Sequence, residues 1–360
     1  MDAALTRAAA DPTGLDDDQL ALLLTATGQH LDALTELADL ARRHTVGDAI
    51  SLVVNRNLTS SGLGSVFSLD DAAAIAADAW ELGATELCIQ GMLPTTQSAT
   101  GYLDLVRVVK DAAPGLHLHA FRPQDVDDLA ARGCLGLAGA LDAQREAGVD
   151  TMPGTGVKVL DESIRRRVAP NDLPVARWLE IVEAEHRAGF KTSSVLFTGH
   201  VETAADRVAH LRELLRIHDR TGGFTEFVPI AAPAAALAPG ALSGVPLVAG
   251  RSAIDEARAQ VAVARLMLSG RIPHVQIPWP RMTLEDAAVL LRSGGDDLGG
   301  ALLDGRVLPE AGVEHGRELP VAEAQRLAHR LLRPFRQRTT TYAEPTAERK
   351  AARAPVESAA

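Results

Sequence analysis

His117 and His119 stand two residues apart in the short run Leu116–Phe121. Side chains at i and i+2 of an extended strand point the same way, so the two imidazoles share a face. Such a pair can move protons near neutral pH or ligate a metal. A third imidazole lies in Thr198-Gly199-His200-Val201-Glu202, directly after the run 192–197. With a carboxylate, the three could make a three-histidine or two-histidine–carboxylate site. Spacing alone does not assemble one, and no metal is expected. Glu226 lies inside Phe224-Thr225-Glu226-Phe227-Val228-Pro229. A carboxylate buried unpaired there would be costly, so it needs a cation or a ligand. His119, His200 and Glu226 are therefore the acid–base candidates.

Other polar groups fall where strands end. Asn55, Arg56 and Asn57 follow the run Ala49–Val54, and Gln90 closes Thr85–Gln90. Thr155 lies in Pro153-Gly154-Thr155-Gly156, which reads equally as an anion cradle or as a tight turn. Gln276 and Asp297 complete the ligand-binding candidates, together with His117.

These side chains need elements to position them. Residues 15–46 show leucines at helical spacing and read as two short helices, closing an N-terminal helical segment at residue 46. Ser68 with Asp71 three residues on reads as a capping box that opens a helix to about Leu82. Strand-like runs then alternate with helical ones, at 85–90, 116–121, 151–152, 192–197, 224–229, 274–277 and near 297–300. That alternation implies parallel βαβ units, and about eight of them over residues 47–338 imply an α/β fold of the (β/α)8 TIM-barrel type. No GxGxxG or GxxxxGK[ST] sequence supports an open doubly wound sheet. Residues 339–360, rich in Ala, Glu, Arg and Pro, read as a flexible tail.

Composition narrows the partners. The chain has 360 residues and a formal net charge of −11, which argues against nucleic acid. Aromatic residues make up only 3%, too few for base-stacking platforms. The uncharged stretch Ile230–Gly250 is broken by Pro233, Pro239 and Pro246, so no membrane span is expected. The N-terminus shows no signal-peptide pattern, and a cytoplasmic protein is the expectation. Two cysteines, Cys88 and Cys134, cannot build a four-thiolate metal site or a disulfide framework.

Several segments taken together resemble a known family. They are Val53-Val54-Asn55-Arg56-Asn57, Glu86-Leu87-Cys88-Ile89-Gln90-Gly91, His117-Leu118-His119-Ala120-Phe121 and Gly199-His200-Val201-Glu202-Thr203. They continue with Gly222-Gly223-Phe224-Thr225-Glu226-Phe227-Val228-Pro229, Asp297-Leu298-Gly299-Gly300, Glu314-His315-Gly316 and Gln337-Arg338-Thr339-Thr340. From about residue 15 to 343 the chain resembles the radical S-adenosylmethionine (SAM) enzymes, above all the second subunit or half of FO synthase. Aminofutalosine synthase is a more distant relative. The resemblance implies the radical SAM barrel and a place in deazaflavin (coenzyme F420) biosynthesis.

The family pattern has a CxxxCxxC loop directly after the position of Asn57, whose thiolates hold a 4Fe–4S cluster. Here Leu58–Phe67 contains no cysteine, and Cys88, within the strand-like run 85–90, and Cys134, in a helical region, do not replace it. Gly91-Met92 stands where relatives have two glycines. Val157-Lys158-Val159-Leu160 stands where they have Ala-Glu-Ile-Leu, and Ile230–Ala234 replaces a Leu-Pro-Phe segment. Against this pattern the expectation is that the 4Fe–4S cluster is absent, that SAM binding is in doubt and that no cofactor is needed. The expected function is then a cluster-less barrel that binds a small polar ligand, a heterocycle or an amino acid, without radical SAM chemistry. One alternative is a non-catalytic scaffold that pairs with an active homologue or a pathway protein. A minor alternative is the family's own transferase activity.

Overall fold

The computed structural model describes residues 1–154, 157–312 and 315–351. Its strands are β1 Ile50–Val53, β2 Asn55–Thr59, β3 Glu86–Gln90, β4 His117–Ala120, β5 Thr192–Thr198, β6 Phe224–Ala231, β7 His274–Val275, β8 Asp297–Gly300 and β9 Phe335–Arg338. They form three sheets of three strands each, in the orders β8–β1–β9, β2–β3–β4 and β5–β6–β7. In the last two sheets β2–β3, β3–β4, β5–β6 and β6–β7 all pair in parallel, as strand–helix alternation requires. No helix among the described residues is long and apolar enough to cross a membrane.

Three features differ from the sequence reading. Asn55, Arg56 and Asn57 follow β1 as expected but are not a loop: they open a second strand, β2. The break falls at Val54, whose carbonyl accepts from Thr85 N at 2.8 Å. Thr151 makes only an isolated bridge, to His119. β9 has a single apolar residue in Phe335-Arg336-Gln337-Arg338, so it carried no strand signal.

The chain divides into two compact units. The first comprises Ser51–Pro153 with Gly299–Ala360 and holds β2, β3 and β4. Its helix Leu69–Glu81 opens on the expected capping box: Asp71 N donates to Ser68 Oγ at 3.1 Å, and Ser68 N to Asp71 Oδ2 at 2.8 Å. Ala72, Ile75, Ala76 and Ala79 recur at helical spacing and are fully buried. One face of the sheet is apolar, with Leu58, Leu87, Ile89, Leu118 and Ala120 all at 0% exposure.

The second unit comprises Met1–Ile50 with Gly154–Leu298. Helices Asp17–Leu24 and Gly28–Val46 are the two expected over residues 15–46, and a further helix, Asp2–Ala10, precedes them. All seven residues of β5 are buried, as in a strand covered on both faces. Helix Ala253–Leu268 is buried at every position from Ala259 onward, so its C-terminal half runs through the core.

Candidate functional site

Strand register builds a polar face. In the first unit Asn55, Glu86 and His117 align across β2, β3 and β4, and Asn57, Cys88 and His119 align in the next row but one. Alternation sends all of these side chains to the face opposite Leu58, Leu87 and Leu118. Asn55 Nδ2 donates to Glu86 Oε1 at 3.3 Å and to Asn57 Oδ1 at 3.2 Å, while its Oδ1 accepts from Leu302 N at 3.0 Å. Gly300 makes room for this amide, since a Cβ there would lie 2.2 Å from Asn55 Oδ1. Thr151 Oγ1 contacts both rings, at 2.8 Å from His117 Nε2 and 2.7 Å from His119 Nδ1.

The face is electrically quiet. Burial, helped by the Arg338 charge, pulls His119 down to about 3, so its imidazole is neutral. Burial also lowers His117, outweighing the nearby Glu86 and Asp150. Burial, with Glu86 beside it, pushes the Cys88 thiol well up. The surface therefore offers two amides, two neutral imidazoles, a carboxyl group and a thiol. That set hydrogen-bonds a neutral polar molecule better than it holds an anion. Glu86, Cys88 and Thr151 escaped the sequence reading. Parity with His117 and His119 across paired strands was the signal that would have found them.

The other candidates are placed differently. Arg56 points to the opposite face at 1% exposure, with Nη1 3.3 Å from Asp78 and Nη2 donating to the Val307 carbonyl and, at 3.0 Å, to that of Leu308. It ties β2 to the helix Leu69–Glu81. Gln90 is half-buried at the end of β3. Thr155 lies outside the described residues.

In the second unit His200 is sealed at 1% exposure. Its Nδ1 stands 2.8 Å from Glu202 Oε2 and 2.9 Å from Val201 N, and its Nε2 lies 3.2 Å from the Phe197 carbonyl. Burial alone would raise Glu202, but the His200 hydrogen bond and the Arg207 charge overcome it and bring the carboxyl to about 2. The ring thus fixes the turn after β5. Glu226 aligns with Ser193 of β5 and His274 of β7, and accepts from the Thr225 hydroxyl. Gln276 bridges to Asp297, which is fully buried. The structure therefore gathers Asn55, Asn57, His117 and His119 on one sheet face, and places His200, Glu226, Gln276 and Asp297 in the other unit. Among the described residues no three His, Cys, Asp or Glu side chains are grouped to hold a metal.

The segment after β2 is a closed turn. Ser60 Oγ donates to the Gly91 carbonyl, and Gly91 N donates to Asp125 Oδ2 at 3.1 Å. Gly91 has φ +124°, and a Cβ on it would meet Ser61 N at 3.3 Å. Val66 N donates to the Gly62 carbonyl at 2.7 Å, and Gly64 N to that of Phe67 at 2.8 Å. Met92 does not press on this backbone but lies exposed under Gln124. Lys158 is paired with Asp172 at 2.9 Å.

No family model matches the chain. FO synthase of Nocardia farcinica is 40% identical over 94% of this chain and 41% of its own length. FO synthase of Mycobacterium tuberculosis is likewise 40% identical, over 95% of this chain and 42% of its own length. The chain thus spans about two fifths of these relatives. A 5-amino-6-(D-ribitylamino)uracil–L-tyrosine 4-hydroxyphenyl transferase of Methanothermobacter thermautotrophicus is 34% identical over 89% of this chain and 92% of its own length. The chain belongs to the family of this transferase and of FO synthase.

Solved structures share the fold. The hydrogenase maturase HydG of Carboxydothermus hydrogenoformans superposes at a TM-score of 0.69 with 13% identity, over 93% of this chain and 79% of its own. Methylornithine synthase (PylB) gives 0.63 with 14% identity, over 97% and 99%. The expected α/β radical SAM barrel fold is thereby confirmed.

Kinship corrects the expectation of a cofactor-free protein. The homologues are radical SAM enzymes, which need a 4Fe–4S cluster and SAM. The chain's own thiols do not fit a cluster: there are two of them, Cys88 buried in β3 and Cys134 exposed beyond the helix Pro123–Arg132. Ser60 occupies the turn after β2 and is hydrogen-bonded to Gly91. Any cluster that serves this family member is held by something other than three thiolates of this chain.

Proposed function

We propose that this chain binds the polar heterocycle of a 4-hydroxyphenyl-transfer reaction of the FO synthase type, as part of a biosynthetic pathway, on the face formed by β2, β3 and β4. The transferase relative is named for 5-amino-6-(D-ribitylamino)uracil and L-tyrosine. A uracil ring presents alternating N–H and C=O groups, and a ribityl chain presents hydroxyls. Asn57, Glu86, His117 and His119 supply donors and acceptors of both kinds along one sheet face. That alignment is the observation that carries the proposal.

In this reading His119, held neutral by burial and oriented by Thr151, hydrogen-bonds a polar group of the ring rather than taking its proton. Glu86 orients the heterocycle, and Asn55 holds Glu86 in place. Glu226 remains an acid–base candidate in its own unit, beside His274. His200 is a positioning residue for the turn after β5. These groups hold hydrogen bonds, and none of them is assigned an electron-transfer step.

Calorimetric titration of the full chain with 5-amino-6-(D-ribitylamino)uracil, and separately with L-tyrosine, tests the proposal. Saturable binding of the heterocycle is expected. A chain that does not bind the heterocycle, whether or not it binds L-tyrosine, refutes it.

A further inference from the structure

We propose that the second unit contains another small-molecule site, a cavity behind β6 that takes an apolar ligand bearing one hydrogen-bond acceptor, with Gln260 as the residue that selects the acceptor. The cavity has a volume of about 70 Å³. Pro229, Ala231, Ala257, Val261, Met282 and Leu290 form most of its wall, and Gln260 contributes to it. Pro229 and Ala231 alternate along β6 with Glu226 and Val228, so the cavity lies on the opposite strand face from Glu226. All of its lining belongs to residues 154–298, and the site is independent of the polar face on β2, β3 and β4.

Two features define its ligand. The first is room: a single water needs roughly 10–15 Å³ by this measure, so the cavity admits several heavy atoms. Its largely apolar wall gives waters few of the two to four partners each one requires. The second is an unmet donor. Gln260 is 2% exposed, and its Oε1 accepts from Arg207 Nη1 at 3.3 Å. Its Nε2 has no hydrogen-bond partner among the described residues. The wall's other polar side chains, Glu256, Thr198 and Arg281, are already engaged. Glu256 accepts from Arg207 at 2.6 Å, from Leu247 N at 3.1 Å and from Arg251, and the Thr198 hydroxyl donates to the Ile230 carbonyl at 3.4 Å. A buried amide donor left unmet favours any occupant that brings it an oxygen.

The test uses two isosteric probes, cyclopentanone and methylenecyclopentane, which differ in the acceptor. Each is titrated into the full chain while the Gln260 side-chain amide is followed by NMR. Cyclopentanone should give a saturable shift, and methylenecyclopentane should bind at least fivefold more weakly. Gln260→Leu should abolish that preference, and Ala257→Leu, which fills the cavity, should abolish both interactions. Absence of saturable binding by either probe overturns the proposal, as does equal binding of the two to the unsubstituted chain. The last comparison needs no variant and stands even if Ala257→Leu fails to fold.

Discussion

His117 and His119 share one hydroxyl: Thr151 Oγ1 stands 2.8 Å from His117 Nε2 and 2.7 Å from His119 Nδ1. A hydroxyl has one proton, so it cannot donate to both rings, and at least one of the two imidazoles presents an N–H toward Thr151. Thr151→Val keeps the shape and removes both bonds. It should destabilise the chain by about 1–3 kcal/mol, read from the denaturant midpoint, whereas Thr151→Ser should recover most of the loss.

Acid should weaken the fold through buried neutral histidines. Burial holds His119, His186 and His210 each at about 3, against 6.5 for an unhindered imidazole. Between those values the unfolded chain binds more protons than the folded one, so stability falls as pH drops from about 6.5 toward 3. Glu202, depressed to about 2 from 4.5, adds to the loss below pH 4.5. Urea midpoints at pH 7.5 and 5.0 check this, and a midpoint that holds or rises at pH 5.0 contradicts it.

Glu185 should act in the opposite sense. It is 1% exposed, both of its carboxyl oxygens lack partners among the described residues, and burial raises it well above 4.5. Above pH 4.5 the unfolded chain releases a proton that the folded chain retains, so this residue costs stability as pH rises. Glu185→Gln should raise the melting temperature at pH 8 and leave it nearly unchanged at pH 4. Equal shifts at the two pH values would count against a buried, protonated carboxyl group.

Arg56 should matter for stability rather than for ligand contact. Removing the guanidinium leaves Asp78, at 5% exposure, without one of its two arginine partners, Arg306 being the other. Arg56→Ala should cost about 3–5 kcal/mol, as for breaking a buried pair. Heterocycle affinity of the folded fraction should stay within twofold.

Much of this was legible from residues alone. The Ser68–Asp71 box, the strand–helix alternation and the shared face of His117 and His119 all rest on local rules of spacing, and all are present in the structure. Properties that depend on pairing were not legible. Glu86 and Cys88 join the polar face only because β3 runs in register with β4. His200 stands beside a glycine, as in an open loop, yet Glu202 two residues on folds back and seals it. The role of Arg56 depended on Asp78, a helix residue 22 positions away.

The most direct test of the central claim is a pair of calorimetric titrations with the aminouracil probe, on the unsubstituted chain and on Glu86→Gln. The proposed face predicts one-to-one binding to the unsubstituted chain and an affinity at least tenfold lower for the variant, with the variant still folded. Equal affinities, or no binding to the unsubstituted chain, would contradict it.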